Sequence, residues 1–82
     1  MSAEEAKKRL IERFEIPGEA TIISFKTDDR LPIYRASIQW EIVTRVSLGI
    51  WDGAEHWDYD RHAYSGSYNF LDEQVTYYSV IY

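Results

Sequence analysis

The sequence predicts a small α+β protein in which one N-terminal helix packs on a curved, four-stranded antiparallel meander sheet, in the order α-β-β-β-β. Three observations predict this class: residues 3–14 repeat apolar side chains at helical spacing, residues 34–50 alternate with a period of two, and Asp52-Gly53 is a turn signal between two strand-like segments. A chain of 82 residues is long enough for one hydrophobic core. We therefore expect a single domain over residues 1–82.

The predicted helix runs from about Ala3 to Phe14. Ser2 and Glu5 match a capping box, in which two side chains satisfy free backbone N–H groups at a helix start. Pro17-Gly18 is expected to end the helix and reverse the chain. The favourable i,i+4 charge pairs are Glu4–Lys8 and Glu5–Arg9. The apolar stripe consists of Ala3, Ala6, Leu10 and Phe14.

Two strands are predicted before the turn, Ala20 to Lys26 and Tyr34 to Ile50, separated by a polar break from Thr27 to Pro32. The second strand would span about 55 Å if it were straight, whereas a compact domain of this size has a radius of gyration of about 12 Å. We therefore expect this strand to bend or coil around the helix, with β-bulges that absorb the curvature.

The Asp52-Gly53 turn sets a predicted register for the third strand, because a type I′ turn pairs Trp51 with Ala54. In this register Trp57 and Tyr59 turn toward the core. The outward row is His56, Asp58, Asp60 and His62, and the residues opposite are Gly49, Ser47, Arg45 and Val43. One of these pairs, Arg45 with Asp60, is a favourable cross-strand charge pair.

The chain ends in a last predicted hairpin about Asp72-Glu73, and its final strand, residues 74–82, is apolar or aromatic on both faces. Gly66, before this hairpin, is expected to allow a bulge or a loop. One predicted row is Val75, Tyr77 and Ile81, and the other is Tyr78, Val80 and Tyr82. Since both rows are apolar, the terminal strand is also a candidate for a homodimer contact.

The net charge of −5 lies wholly in the last 31 residues. Residues 1–51 contain eight acids and eight bases, whereas residues 52–82 contain six acids and one base, Arg61. Eight of the thirteen aromatic residues also lie in this segment. Tyrosine and tryptophan among acids suit a surface that binds a basic protein partner. The competing interpretation is that these are half-buried structural tyrosines and solubilising acids.

The sequence lacks the usual signals of catalysis or of a bound cofactor. It has no cysteine, no phosphate-binding or dinucleotide-binding motif, and no Gly-x-Ser-x-Gly nucleophile elbow. The four side chains of the outward row cannot all converge on one ion, because neighbours on a strand face lie about 6.5 to 7 Å apart. We expect no enzyme activity, no metal and no cofactor, and the acidic balance disfavours direct nucleic-acid binding.

We predict a non-enzymatic protein-binding domain, an inhibitor or immunity-type protein that occludes a basic surface of a nucleic-acid-handling protein. Small phage-encoded anti-defence inhibitors are similar in size and charge. The predicted partner-binding residues are His56, Asp58, Asp60, His62, Tyr64, Tyr68, Tyr78 and Tyr82. The alternative is a small-ligand or metal-binding module with a pocket between the helix and the curved sheet, lined by Trp40, Trp57 and Tyr59.

The N-terminal segment predicts a cytoplasmic location. It contains acids where a secretory signal would be basic, and no apolar run reaches transmembrane length. The absence of cysteine also favours a reducing compartment. We therefore expect no membrane partner.

Overall fold

The computed structural model describes residues 2–28 and 32–82, and in these it has one helix and four strands. The elements are α1 (Ala3–Arg13), β1 (Thr21–Thr27), β2 (Arg35–Trp51), β3 (Ala54–Asn69) and β4 (Gln74–Val80). Neighbouring strands pair antiparallel in one open, curved sheet of order β1-β2-β3-β4, which confirms the predicted α-β-β-β-β meander. The predicted polar break from Thr27 to Pro32 lies partly outside the described residues.

The helix begins as the sequence predicts. The hydroxyl of Ser2 accepts a hydrogen bond from the backbone N–H of Glu5 at 3.2 Å, which satisfies one free donor of the first turn. The predicted Glu5–Arg9 pair is formed, with Arg9 Nη2 3.2 Å from Glu5 Oε1. Of the predicted stripe, Ala6 and Leu10 are fully buried, whereas Ala3 is exposed.

The chain reverses at Glu15, before the predicted Pro17-Gly18. Glu15 has a φ of +53°, in the left-handed region. Its N–H donates to the carbonyl oxygen of Glu12 at 3.2 Å, and the N–H of Ile16 donates to that of Ile11 at 2.9 Å. These two bonds form a Schellman motif, with glutamate at the position that glycine usually occupies. The motif turns Ile16 into the hydrophobic core.

The core lies between α1 and one side of β2. Ala36, Ile38 and Trp40 alternate along the strand and are buried in one cluster with Leu10. Phe14, at the C-terminal end of the helix, contacts Trp40 with ring centroids 5.6 Å apart. We call the side of the sheet that carries α1 the helix face, and the other side the open face.

Gly66 on β3 lets the end of the helix approach the sheet closely. An ideal Cβ atom at this position would lie 2.6–2.9 Å from three atoms of the Phe14 ring. Gly66 is buried, and β3 runs through it without a break in its pairing with β2. The predicted bulge or loop at this glycine is therefore wrong, since its missing side chain serves packing.

Beyond the core, β2 and β3 continue as a two-stranded arm. β1 pairs with β2 only as far as Glu41, and β4 pairs with β3 only from Tyr64. Residues 43–61 pair only with each other among the described residues, and His62 pairs with Ile42 at the base; we call residues 43–62 the arm. The molecule is 60 Å long with a radius of gyration of 16.9 Å, compared with the about 12 Å expected for a compact domain. The long strand thus extends past the helix instead of coiling around it.

A bulge at Leu48 shifts the predicted register of the arm by one residue. The pairs next to the turn agree with the prediction, but the register shifts between Ser47 and Gly49, and Ser47 pairs with Trp57. Gly49 has a φ of +113°, which an L side chain rarely adopts. Relative to the predicted register, the one-residue shift moves each side chain of β3 to the opposite face. Between the bulge and the core, the even-numbered residues of β2 and of β3 therefore lie together on the helix face.

This shift corrects two predictions. Trp57 and Tyr59 do not turn toward the core but lie on the open face, where they are 37% and 57% exposed. The row of His56, Asp58, Asp60 and His62 lies on the helix face, opposite Gly49, Val46, Thr44 and Ile42. The predicted pair of Arg45 with Asp60 is therefore not formed, since Arg45 lies opposite Tyr59.

The last hairpin forms about Asp72-Glu73, as predicted. The side-chain oxygen of Asn69 accepts hydrogen bonds from the backbone N–H groups of Leu71 and Asp72, at 2.9 and 3.2 Å. A bulge at Thr76 then shifts the pairing of β4 with β3, so that Val75 leaves its predicted row. On β4 the helix face carries Val75, Tyr78 and Val80, and the open face carries Tyr77 and Ser79.

Candidate functional site

The arm is exposed on both faces. All of its residues are exposed except Gly49 and His56, which are half-buried. Its exposed large hydrophobic side chains are Val43, Val46, Leu48, Ile50, Trp51, Trp57 and Tyr59. A two-stranded hairpin without a third strand is only marginally stable in water, and exposed apolar clusters of this kind mark interaction surfaces. The arm is therefore the first candidate for a functional surface.

Turn geometry and ring stacking hold the two strands together at the tip. Asp52 and Gly53 have φ angles of +54° and +74°, as the predicted type I′ turn requires. The rings of Trp51 and His56 stack with centroids 3.7 Å apart and an angle of 4° between their planes. His56 Nε2 also lies 3.3 Å from the carbonyl oxygen of Trp51. His56 is thus fixed within the tip.

A cation–π contact supports the middle of the arm on the open face. The guanidinium carbon of Arg45 lies 3.7 Å from the ring centroid of Trp57. The sequence reasoning missed this contact because it paired Arg45 with Asp60. The available signal was Gly49, since a glycine inside an alternating strand often marks a bulge.

The helix face of the arm is acidic. His56, Asp58, Asp60 and His62 share this face, as predicted, and the arm's two arginines, Arg45 and Arg61, lie on the other one. Both carboxylate residues are exposed, and Asp58 Oδ1 accepts a hydrogen bond from the backbone N–H of Tyr59 at 2.8 Å. Between the bulge and the base the arm therefore separates its charges, with Asp58 and Asp60 on the helix face and the two arginines on the open face, where Glu55 lies nearer the tip.

A small polar cluster lies at the base of the arm on the open face. Glu41 accepts a hydrogen bond from the Tyr82 hydroxyl at 2.9 Å, and its other oxygen lies 3.9 Å from Arg61 Nη1. The hydrogen bond to Glu41 raises the pKa of the Tyr82 phenol, with smaller contributions from desolvation and from the carboxylate charge. Tyr82 is therefore tied to β2 across β3, which places it away from the acidic row.

Two of the predicted binding tyrosines are half-buried packing residues. Tyr64 stacks on Trp40 with ring centroids 5.4 Å apart, and Tyr68 meets the edge of Phe70 at 5.1 Å. Tyr78 is exposed, but its ring also contacts the helix end. Of the eight predicted residues, four lie along the arm and four are tyrosines at or below its base. Tyr64, Tyr68 and Tyr78 share the helix face with the acidic row, whereas Tyr82 contacts Glu41.

The acidic row does not form a metal site in the part of the chain that the structure describes. No group of three or more His, Asp and Glu side chains there is close enough to hold an ion. The residues opposite the row are Gly49, Val46, Thr44 and Ile42, none of which offers a strong ligand.

The predicted pocket between helix and sheet does not bring its three aromatic residues together. Trp40 is buried under the helix, whereas Trp57 and Tyr59 are exposed on the open face. Two open depressions of about 390 and 320 Å³ lie elsewhere, one between the helix and the β3–β4 turn and one at the base of the sheet.

Comparisons with known proteins leave the site to be interpreted from its own geometry. No family model matches the chain, and no curated protein or solved structure matches it either. Within residues 2–28 and 32–82, the helix is too short and too polar to span a bilayer.

Proposed function

We propose that the chain is a non-enzymatic protein-binding domain that uses the acidic helix face of its arm to block a basic, nucleic-acid-handling surface on another protein. One observation carries this proposal: Asp58 and Asp60 lie side by side on an exposed ribbon that projects beyond the core, with the arm's arginines on its opposite face. Segregated charge of this kind selects a basic partner and directs which face meets it.

The arm has dimensions suited to a groove that binds nucleic acid. Nine residues on each strand extend about 30 Å at about 3.3 Å per residue, and the two strands are about 4.8 Å apart. Neighbouring carboxylates on one strand face are about 6.5 to 7 Å apart, so each can meet a separate Lys or Arg side chain. The ribbon would then compete with phosphate groups for the same cations.

Apolar side chains supply the contact area that charges alone do not. Val46 shares the helix face with the acids, and the Trp51 ring caps the tip where it stacks on His56. Aromatic and aliphatic anchors inside a polar rim usually carry most of the binding free energy of an interface. We therefore expect the partner to contact the acidic row and the Trp51 ring, both on the helix face.

A matched pair of variants tests which face binds. Asp58→Asn with Asp60→Asn removes two charges from the helix face, whereas Asp52→Asn with Glu55→Gln removes two charges from the turn and the open face of the same arm. The tagged wild-type chain, both double variants and a polyanion competitor would be compared in pull-downs from a candidate host lysate. The captured protein would then be assayed for nucleic-acid binding with and without the chain.

We expect the wild type and the Asp52/Glu55 variant to capture a protein that the polyanion releases, and to inhibit its binding of nucleic acid. The Asp58/Asp60 variant should lose both effects, because each desolvated charge pair contributes on the order of 2 kcal/mol or more. Equal capture by the two double variants would refute the assignment of the helix face. Capture without any inhibition would refute the blocking function.

A further inference from the structure

The free edge of β4 is a second exposed apolar surface, which lies at the base of the arm beyond His62. Its large side chains and those that follow it are 37–58% exposed: Val75, Tyr77, Tyr78, Val80, Ile81 and Tyr82. The nine residues from Gln74 to Tyr82 include no charged side chain. A basic partner of the kind proposed for the arm would find no carboxylate on this strand.

Backbone groups of β4 are also open at this edge. Ile81 donates its N–H to the carbonyl oxygen of Ala63 at 2.7 Å, so its backbone faces β3. Because backbone direction alternates along an antiparallel strand, Ser79 faces β3 as well, and the N–H and C=O groups of Tyr78 and Val80 point to the free edge. Such an edge is a template for another strand.

The opposite edge of the sheet has features that oppose strand pairing. β1 contains a register irregularity at Ile23 and a lysine, Lys26, near its end. Bulges and edge lysines are the usual means by which folded proteins prevent edge-to-edge association. β4 has its bulge at Thr76, near its start, and continues from Tyr77 to Val80 without a charge or a proline.

We propose that two copies of this chain pair through their β4 edges, antiparallel about a twofold axis, into one continuous eight-stranded sheet. The free backbone groups allow a register centred on Ser79, which places Tyr78 opposite Val80 of the second copy. Twofold symmetry forms this aromatic–β-branched pair twice, and pairs of this type are favourable between antiparallel strands.

The distribution of charge favours a second copy as the occupant. Two molecules of net charge −5 repel each other unless their contact is uncharged and their acids stay apart. Antiparallel pairing of β4 points the two arms toward opposite ends of the assembly, which separates the acidic rows. In the proposed register residues 76–82 of one copy face residues 76–82 of the other, and none of these is charged, so no acid faces another within this paired segment.

Sedimentation and light scattering over a concentration series, together with amide hydrogen exchange, test this interface. We expect the wild type to reach twice its single-chain mass, and the Tyr78 and Val80 amides to become protected as the dimer forms. Val80→Lys should abolish the dimer. The matched control is Ile23→Lys, the same kind of change at a half-exposed residue of the opposite edge, which should leave the dimer intact.

A wild type that keeps its single-chain mass at every concentration would overturn the proposal. A dimer that survives Val80→Lys, or one in which the Tyr78 and Val80 amides stay unprotected, would overturn it as well. The proposal stands apart from the function of the arm, since the Asp58/Asp60 variant should still dimerise and Val80→Lys should still bind the basic partner.

Discussion

At the scale of single residues, the close contact between Gly66 and Phe14 fixes how near the helix lies to the sheet. Gly66→Ala would place a methyl group less than 3 Å from the Phe14 ring, so the ring or the helix end has to move. Overpacking of this kind costs about 1–3 kcal/mol. We expect a loss of that size in the free energy of unfolding, measured by urea denaturation.

Gly18 provides the control for this change, because a Cβ atom there would meet nothing within 4 Å. Gly18→Ala should therefore be close to neutral. Combining Gly66→Ala with Phe14→Ala should cost less than the sum of the two single changes, since the clash no longer exists. Strict additivity would show that the two residues do not interact.

Glu15 occupies a left-handed position that favours glycine. A side chain in this conformation costs about 1–2 kcal/mol, part of which is offset by the larger entropy that glycine loses on folding. Glu15→Gly should therefore stabilise the protein by about 0.5–1 kcal/mol in urea denaturation. Glu12→Gly, inside the helix, should instead destabilise it by about 1 kcal/mol. A loss of stability in both variants would contradict the Schellman geometry.

The Tyr82–Glu41 hydrogen bond makes the attachment of the C-terminus sensitive to alkaline pH. The bond raises the pKa of the Tyr82 phenol above its usual value. The hydrogen bond therefore contributes its full stability at any pH below the usual phenol pKa of the unfolded chain. It is lost as the pH rises through the raised pKa of the folded state. In ultraviolet absorbance titration, the difference between the wild type and Tyr82→Phe should show the Tyr82 phenol ionising above its ordinary pKa.

Glu41→Gln distinguishes the hydrogen-bond partner from a general effect of the surroundings. Without the carboxylate charge, the Tyr82 phenol should ionise closer to its ordinary pH, because a neutral amide oxygen accepts a weaker hydrogen bond and does not repel the phenolate. A late phenol that persists in Glu41→Gln would mean that another group holds Tyr82.

At the scale of elements, the sequence predicts the helix, the four strands and both hairpin turns, because local chemistry determines each of them. The Ser2 cap, the alternation along β2 and the Asp52-Gly53 turn are short-range signals, and each holds in the structure. The faces of the arm could not be derived in the same way. A single bulge at Leu48 exchanges the two faces of the arm. The alternating pattern of the β2 sequence is the same whether or not the strand has this bulge.

A double-mutant cycle distinguishes the observed register from the predicted one. Arg45→Ala and Trp57→Ala should show a coupling free energy of about 0.5–1 kcal/mol, as expected for an exposed cation–π contact. Arg45→Ala and Asp60→Ala should be additive, because these residues are not paired. The measurement is urea denaturation followed by NMR signals of arm residues. A coupling free energy between Arg45 and Asp60, with none between Arg45 and Trp57, would instead support the register predicted from the sequence.

At the scale of the whole molecule, the sequence predicts a compact domain and the structure is elongated. The prediction assumed that an alternating strand has its apolar face covered by the protein's own core. In β2 this holds for Ile38 and Trp40, but not for Val46, Leu48 and Ile50, which are exposed. Alternation records which residues share a face, and it carries no information on what covers that face. For the same reason, sequence reasoning found the acidic row but not its place beyond the core.

The elongated shape predicts that the arm is dispensable for folding, whereas the proposed function requires it for binding. Val43 pairs with Arg61 at the base, so residues 44–60 can be replaced by an Asn-Gly turn without disturbing a core residue. We expect the shortened chain to keep its helical circular dichroism and a thermal midpoint within a few degrees of the full chain. Its radius of gyration by X-ray scattering should fall well below the 16.9 Å of the full molecule, and it should lose the basic partner. Both the full-length and the shortened chain carry Val80→Lys in this comparison, so that self-association does not contribute to the measured radius of gyration. An unfolded shortened chain would show instead that the arm supports the core.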